Sequence, residues 1–206
     1  PKMRRALMKA IEVDVLAIGP DGQTASGLNA INGASHRWVG SGTNEIIDVR
    51  DFALALNSLQ MANVPATNLV AIVHPSVEYA LNTMTNLVNV SNNPRWEGII
   101  SSCFSTGMRF IKNIYGFDVY TSMNLKNVGA ETINGRTVAS GSVANLFFSA
   151  APDVLPFVGS IRQPPKVDSE YNKDLQQEEY VTTCRYGFKL YRPENLVVVL
   201  TYTDQV

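Results

Sequence analysis

The segment YVTTCRYGFKLY, residues 180–191, has the clearest alternating pattern in the chain. Its even positions are mostly apolar, whereas Arg185 and Lys189 occupy odd positions. Successive side chains of a β-strand point to opposite faces of the sheet, so this alternation predicts one continuous strand with an apolar and a charged face. We expect it to pair antiparallel with residues 157–163. Residues 164–179 would then form a polar, mostly acidic connection that is either mobile or in contact with a neighbour.

Helical patterns fill much of the first half of the chain, and strand patterns the second. Apolar residues recur at helical spacing over residues 3–18, and the breakers GPDG at 19–22 end that helix. Asp48 is the expected N-cap of a second helix that ends before Pro65, and Asp51 completes its capping box. The further expected elements are helices starting at Pro75 and spanning residues 96–105, and strands over residues 69–73, 117–121, 143–148 and 196–202. This succession indicates an α+β fold.

Charge and composition exclude several classes of function. Seventeen basic and eighteen acidic side chains give a net charge of −1, so no overall field attracts the chain to nucleic acid or to an anionic membrane. No apolar run approaches the roughly 18 to 20 residues that cross a bilayer, so no membrane partner is expected. Charged residues make up 17% of the chain, against roughly 25% in an average domain, which favours a surface partly buried against partners.

The residues that usually carry chemistry are few and widely spaced. His36 and His74 have no second histidine or glutamate at metal-ligand spacing, and His74 before Pro75 is typical of a helix start. Cys103 and Cys184 lack a CxxC partner, and we expect both to be reduced. A hydrolase that uses Cys103 or Ser35 with a histidine is the remote alternative. The sequence otherwise identifies no catalytic, cofactor-binding or metal-binding residue, and it predicts a protein that is not an enzyme.

Three further features have local explanations. The stretch GAETINGRT, residues 129–137, has the wrong glycine spacing for a phosphate loop and predicts a turn at Asn134-Gly135. Trp38 and Trp96 lie in expected loops, where each is either an interface anchor or the cover of a local core. The polar residues 88–95 are expected to form a surface loop.

The start of the first helix is basic. Arg4, Arg5 and Lys9 lie within its first turns. Such a surface either contacts packaged double-stranded DNA or is simply solvated, because charged helix faces are usually solvent-exposed.

Taken in order, several segments of the chain resemble the tailed-bacteriophage major capsid protein family, whose fold is shared with encapsulins. The resemblance begins with the opening helix and the Asp48 helix. It continues through short motifs whose order and spacing are more specific than any one of them. These motifs are NVP at 63–65, LVAIVHP at 69–75, IYGFDVY at 114–120, YG at 186–187 and YRPE at 191–194.

This resemblance implies a phage major capsid fold with two lobes. A peripheral lobe, residues 1–48 and 152–192, would contain the spine helix and the long β-hairpin. An axial lobe, residues 49–151 and 193–206, would contain a mixed sheet flanked by helices.

The resemblance also implies a function. The chain would be a structural subunit that assembles with copies of itself, as hexamers and pentamers, into an icosahedral head enclosing the phage genome. Scaffolding, portal or decoration proteins would be further partners. The protein would occupy the host cytoplasm before assembly and the virion afterwards. The alternative within this fold is the shell of an encapsulin-type protein compartment.

Members of the family carry an N-terminal arm and an extended loop before the spine helix, and this sequence contains neither. The first turn of the opening helix also lacks a capping residue, since Pro1 directly precedes Lys2 and Met3. We therefore expect an upstream segment to supply the arm and loop by which subunits clasp one another.

Overall fold

A mixed β-sheet is the centre of the fold. The computed structural model describes residues 2–84 and 113–203. The helices in this part of the chain are α1 (Lys2–Asp21), α2 (Val49–Met61) and α3 (Pro75–Thr83). The strands are β1 (Arg37–Val39), β2 (Leu69–Val73), β3 (Asn113–Ile114), β4 (Phe117–Thr121), β5 (Asn127–Val128), β6 (Glu131–Ile133), β7 (Arg136–Val138), β8 (Ser142–Ser149), β9 (Phe157–Asn172), β10 (Gln177–Leu190) and β11 (Val197–Thr201).

The main sheet has the strand order β1-β11-β8-β2-β4-β3, with β5 added to β8. Strands β1 and β11 are parallel, as are β2 and β4, whereas β8 is antiparallel to both β11 and β2. Every residue of β8 and β11 is buried. The near-continuous apolar sequence of β11 is typical of a strand covered on both faces, so its central place was predictable.

Two apolar cores lie on the two faces of this sheet. On one face Phe52 of α2 meets Phe117 and Phe147, with ring centroids 5.1 to 6.3 Å apart in edge-to-face geometry. On the other face Leu16 of α1 packs with a cluster that includes Leu146. The helices α2 and α1 therefore hold the sheet between them, and the mixed α+β fold is confirmed.

The predicted caps are confirmed in detail. The Asp48 side chain accepts a 2.7 Å hydrogen bond from the Val49 amide, and the Asp51 side chain accepts one of 2.8 Å from the Asp48 amide. His74 is the N-cap of α3, and its Nδ1 accepts from the Ser76 amide at 3.2 Å. Asn134 and Gly135 both have positive φ and join β6 to β7 as a two-residue turn, as expected.

Helix α1 extends beyond its predicted end. It continues through Gly19 and Pro20 to Asp21. Gly19 and Pro20 are buried, and a Cβ placed on Gly19 would lie 3.1 Å from the side chain of Leu196. Packing against the sheet therefore outweighs the helix-breaking tendency of these two residues.

The expected long hairpin is present, but its strands are longer than predicted. Tyr186 pairs with Ile161 in the lower part, as the antiparallel prediction required, and the ladder then continues to Gln177 opposite Asn172. Residues 164–172 and 177–179 are thus strand, and the prediction of a polar connection over 164–179 was wrong. Polar residues form this strand because it is solvent-exposed and has no apolar core to cover.

Trp38 is also corrected, since it lies in β1 and not in a loop. The predicted helix over residues 96–105 and the surface loop over residues 88–95 lie outside the described residues, as do Trp96 and Cys103.

Candidate assembly surfaces

The β9–β10 hairpin is an extended arm with little core of its own. Its strands contain 16 and 14 residues, which at about 3.3 Å per residue makes an arm roughly 50 Å long. Nearly every residue of β9 is exposed. A two-stranded ribbon of this length is marginal in water by itself, so its surfaces are suited to contact another part of the protein or another molecule.

One side of the hairpin faces α1. The hydroxyl of Tyr186 donates a 2.5 Å hydrogen bond to Oδ2 of Asp14, and this bond raises the pKa of the tyrosine. Near the base, the side chain of Leu190 lies against Gly22 so closely that a Cβ on the glycine would meet it at 2.7 Å. These contacts fix the lower part of the arm along the C-terminal half of α1.

Four large apolar side chains lie farther out on the same side of the hairpin. We call this surface the apolar strip; it consists of Ile161, Val167, Tyr171 and Tyr180. Each of these side chains is at least 55% exposed. A row of large exposed apolar side chains on one face marks a contact surface more often than a solvated one.

The opposite side of the hairpin is charged. Glu170 and Glu179 are directly paired across the two strands, and Asp168 lies two residues along β9 on the same side. Lys166 contacts Asp168 at 2.7 Å, with both side chains more than half exposed. We call Asp168, Glu170 and Glu179 the acidic patch.

The first half of α1 carries a basic surface. Arg4, Arg5 and Lys9 line a groove of about 830 Å³ that also includes Met8, Glu12 and Asn124. The three basic side chains are exposed. Within residues 2–84 and 113–203, none of them forms an ion pair with an acidic side chain. We call this surface the basic groove.

A buried ion pair links several segments near the C-terminal end of α1. The guanidinium of Arg37 contacts both carboxylate oxygens of Glu131 at 2.9 Å, and the same carboxylate accepts a bond from the Ser26 amide. Arg37 is 1% exposed. This pair was not predictable from the sequence, because 94 residues separate its members and no local pattern marks either one.

Both histidines contribute to the structure of the fold. His36 is fully buried, its Nδ1 lies 3.0 Å from the Ala34 carbonyl oxygen, and burial lowers its pKa. His74 caps α3, and burial lowers its pKa as well. In the described part of the chain, the serine hydroxyl bonded to a histidine is that of Ser76, at 2.8 Å from His74 within the cap. The structure does not bring Ser35 into such a contact.

Trp38 and Asp51 form a second buried polar contact. The indole Nε1 of Trp38 donates to Oδ1 of Asp51 at 3.1 Å, and Asp51 also accepts from the Ser41 amide. Burial raises the pKa of Asp51, and these hydrogen bonds oppose that rise. Trp38 therefore helps to hold α2 against β1, which favours the local-core reading of this residue.

No grouping of three or more histidine, cysteine, aspartate or glutamate side chains in the described residues could hold a metal ion. Cys184 is free, and its Sγ lies 3.4 Å from the Gln163 carbonyl oxygen. The helices described are also too short or too polar to cross a membrane.

The sequence profile of the phage capsid protein family matches residues 2–199 of the chain. No curated protein sequence matches it. Among solved structures, the chain is similar to one titled for Mycobacterium phage Che8, with 17% identity and a TM-score of 0.64 over 95% of this chain and 60% of that one. It is also similar to the capsid structure of cyanophage P-SCSP1u, with 16% identity and a TM-score of 0.66 over 98% of this chain and 64% of that one.

A third similar structure is the mature capsid of bacteriophage PhiM1, with 12% identity, a TM-score of 0.56 and coverage of 97% and 61%. The chain therefore spans about 60% of the length of these solved chains. These likenesses show a shared fold, and the profile match extends over nearly the whole sequence. The chain belongs to the phage capsid protein family.

Proposed function

We propose that this chain is a shell subunit, which assembles with copies of itself into an icosahedral head enclosing a phage genome. The observation that carries the proposal is the long hairpin, whose apolar strip has no covering element among the described residues. Such an arm gains stability when a neighbouring copy covers it. Many modest contacts of this kind, repeated by symmetry, make a stable shell.

The two-lobe division is part of the proposal. Residues 1–48 and 152–192 would form the peripheral lobe, and residues 49–151 and 193–206 the axial lobe at the centre of each hexamer or pentamer. The contact of α1 with β10 supports the grouping of spine helix and hairpin. Residues 37–39 are an exception to this division, because strand β1 pairs with β11 in the sheet of the axial lobe.

Other partners follow from the proposed role. Packaged DNA would meet exposed basic side chains on the inner surface, and Arg4, Arg5 and Lys9 are the candidates identified from the sequence. Scaffolding proteins would contact the shell from inside and decoration proteins from outside. A portal protein would occupy one vertex. The subunit would be made in the host cytoplasm and would have no catalytic role, in keeping with the family.

The cargo distinguishes the two kinds of shell. Particles purified from cells should be treated with nuclease and then opened, and their nucleic acid and protein contents measured. A genome-length double-stranded DNA that survives nuclease would support a phage head. A shell that holds a single enzyme and no DNA would instead support the encapsulin-type compartment.

A further inference from the structure

We propose that the acidic patch on the hairpin of one subunit docks on the basic groove of a neighbouring subunit. This inference rests on the proposed function, because it names the partner of two surfaces of a shell subunit. The occupant of the basic groove would be a second copy of this chain.

Each of the two surfaces contains a pair of neighbouring like charges. Glu170 and Glu179 face each other directly across the ribbon, and like charges in such a pair destabilise a sheet. Arg5 and Lys9 are four residues apart on α1, where like charges also destabilise. Each surface therefore contains a like-charge pair whose repulsion a partner of opposite charge would offset.

The longer segments around the two surfaces also carry opposite net charges. Residues 168–180 contain five acidic side chains and one lysine, a net formal charge of −4. Residues 2–9 contain four basic side chains and no acidic one, a net formal charge of +4. Nearly all side chains that the structure describes in the two regions are exposed, so both regions are accessible to a partner.

The two surfaces of one copy do not face each other. Residues of β10 alternate in burial without a break from Thr182 to Leu190. Tyr186, at an even position, bonds to α1, whereas Glu179 at an odd position points away from that side. Because α1 lies along one side of the hairpin and the acidic patch on the other, the patch that docks on the groove is that of another copy.

A protein partner fits the groove better than DNA does. Met8 lines the groove and is 60% exposed, and Leu175 in the turn at the hairpin tip is an exposed apolar side chain as well. A contact between different surfaces of identical subunits repeats from copy to copy, and it closes into a ring when the rotation between copies divides a full turn.

Charge reversal tests this contact. The two variants are Arg5→Glu/Lys9→Glu in the groove and Glu170→Lys/Glu179→Lys in the patch, and a third variant combines all four changes. Assembled and free protein are measured by sedimentation velocity at equal concentration. Each double variant should raise the concentration needed for assembly about tenfold or more, because like charges then meet at the contact. The combined variant should restore it to within about threefold, since the charges are again opposite.

A matched control is Arg185→Glu/Lys189→Glu, which changes net charge as the groove variant does, but on the charged side of the hairpin near its base. It should assemble like the unchanged protein. An equal loss in this control, or no rescue in the combined variant, would overturn the inference.

The same variants distinguish the other outcomes. If the groove variant assembles normally but retains less nuclease-resistant DNA, the groove faces the genome and the inference is wrong. If the unchanged protein forms no particles at all, the proposed function fails first and this contact fails with it.

Discussion

The buried Arg37–Glu131 pair is the residue-level feature with the largest expected effect on stability. Replacing Arg37 with methionine leaves the Glu131 carboxylate buried without its partner, which typically costs about 3 to 5 kcal/mol. The double variant Arg37→Met/Glu131→Leu should recover most of that loss, because neither charge remains. Lys166→Ala, which breaks the exposed pair with Asp168, should change the free energy of unfolding by about 1 kcal/mol or less. Urea unfolding measures all three, and similar losses in Arg37→Met and Lys166→Ala would contradict the role given to the buried pair.

His36 should make stability depend on pH. Burial holds its pKa in the folded protein below the ordinary value of 6.5. As pH falls through 6.5, the unfolded chain binds a proton that the folded protein does not, so the free energy of unfolding decreases until the lower folded pKa is reached. The variant His36→Gln should show a flatter dependence in urea midpoints between pH 7.5 and pH 5.5. His74 also has a lowered pKa, so His74→Gln serves as the comparison. An unchanged slope in His36→Gln would show that this histidine does not titrate as proposed.

Single residues were predictable from the sequence where a local rule decides. Asp48, Asp51 and His74 lie next to the helix ends that they cap, so a few neighbouring residues reveal their roles. Arg37 and Trp38 were not predictable, because their partners Glu131 and Asp51 become neighbours only after the sheet has formed.

At the scale of elements, two glycines in the hairpin offer a sharp test of its geometry. Gly159 pairs with Phe188, and a Cβ added to the glycine would lie 2.3 Å from that ring. Gly187 is on the other side of the ribbon, and a Cβ there meets nothing within 4 Å. Gly159→Ala should therefore destabilise the protein by about 1 to 3 kcal/mol, whereas Gly187→Ala should stay within about 0.5 kcal/mol. The reverse order in thermal or urea unfolding would show that the register of the hairpin is wrong.

Elements with a core-facing pattern were predicted closely, and exposed ones were not. The buried strand β2 and the strand β4 have the expected bounds. The outer half of the hairpin was interpreted as a connection because its residues are polar and include Pro164 and Pro165. Its pairing partner, and not its composition, makes it a strand. The short strands β3 and β5 were also not predicted, because a segment of two residues is too short to show an alternation of apolar and polar side chains.

For the whole molecule, the order of its elements along the chain made the family recognisable from the sequence. Each short motif is common by itself, but a helix, a capped helix, a buried strand before a His-Pro helix start and a late hairpin form a specific succession. The profile match over residues 2–199 and the fold shared with solved phage capsids confirm that reading. The contacts between subunits were not predictable in the same way, because the surfaces that make them meet only in the assembly.

Electron microscopy of the purified protein at increasing concentration shows whether this chain forms a shell. For a shell subunit we expect closed particles of uniform diameter with icosahedral symmetry, in which each protrusion is a ring of five or six copies. Sedimentation on the same samples should show a large species in equilibrium with free subunits. A protein that stays a 22.6 kDa monomer at every concentration, with no closed particle in any image, would not be a shell subunit.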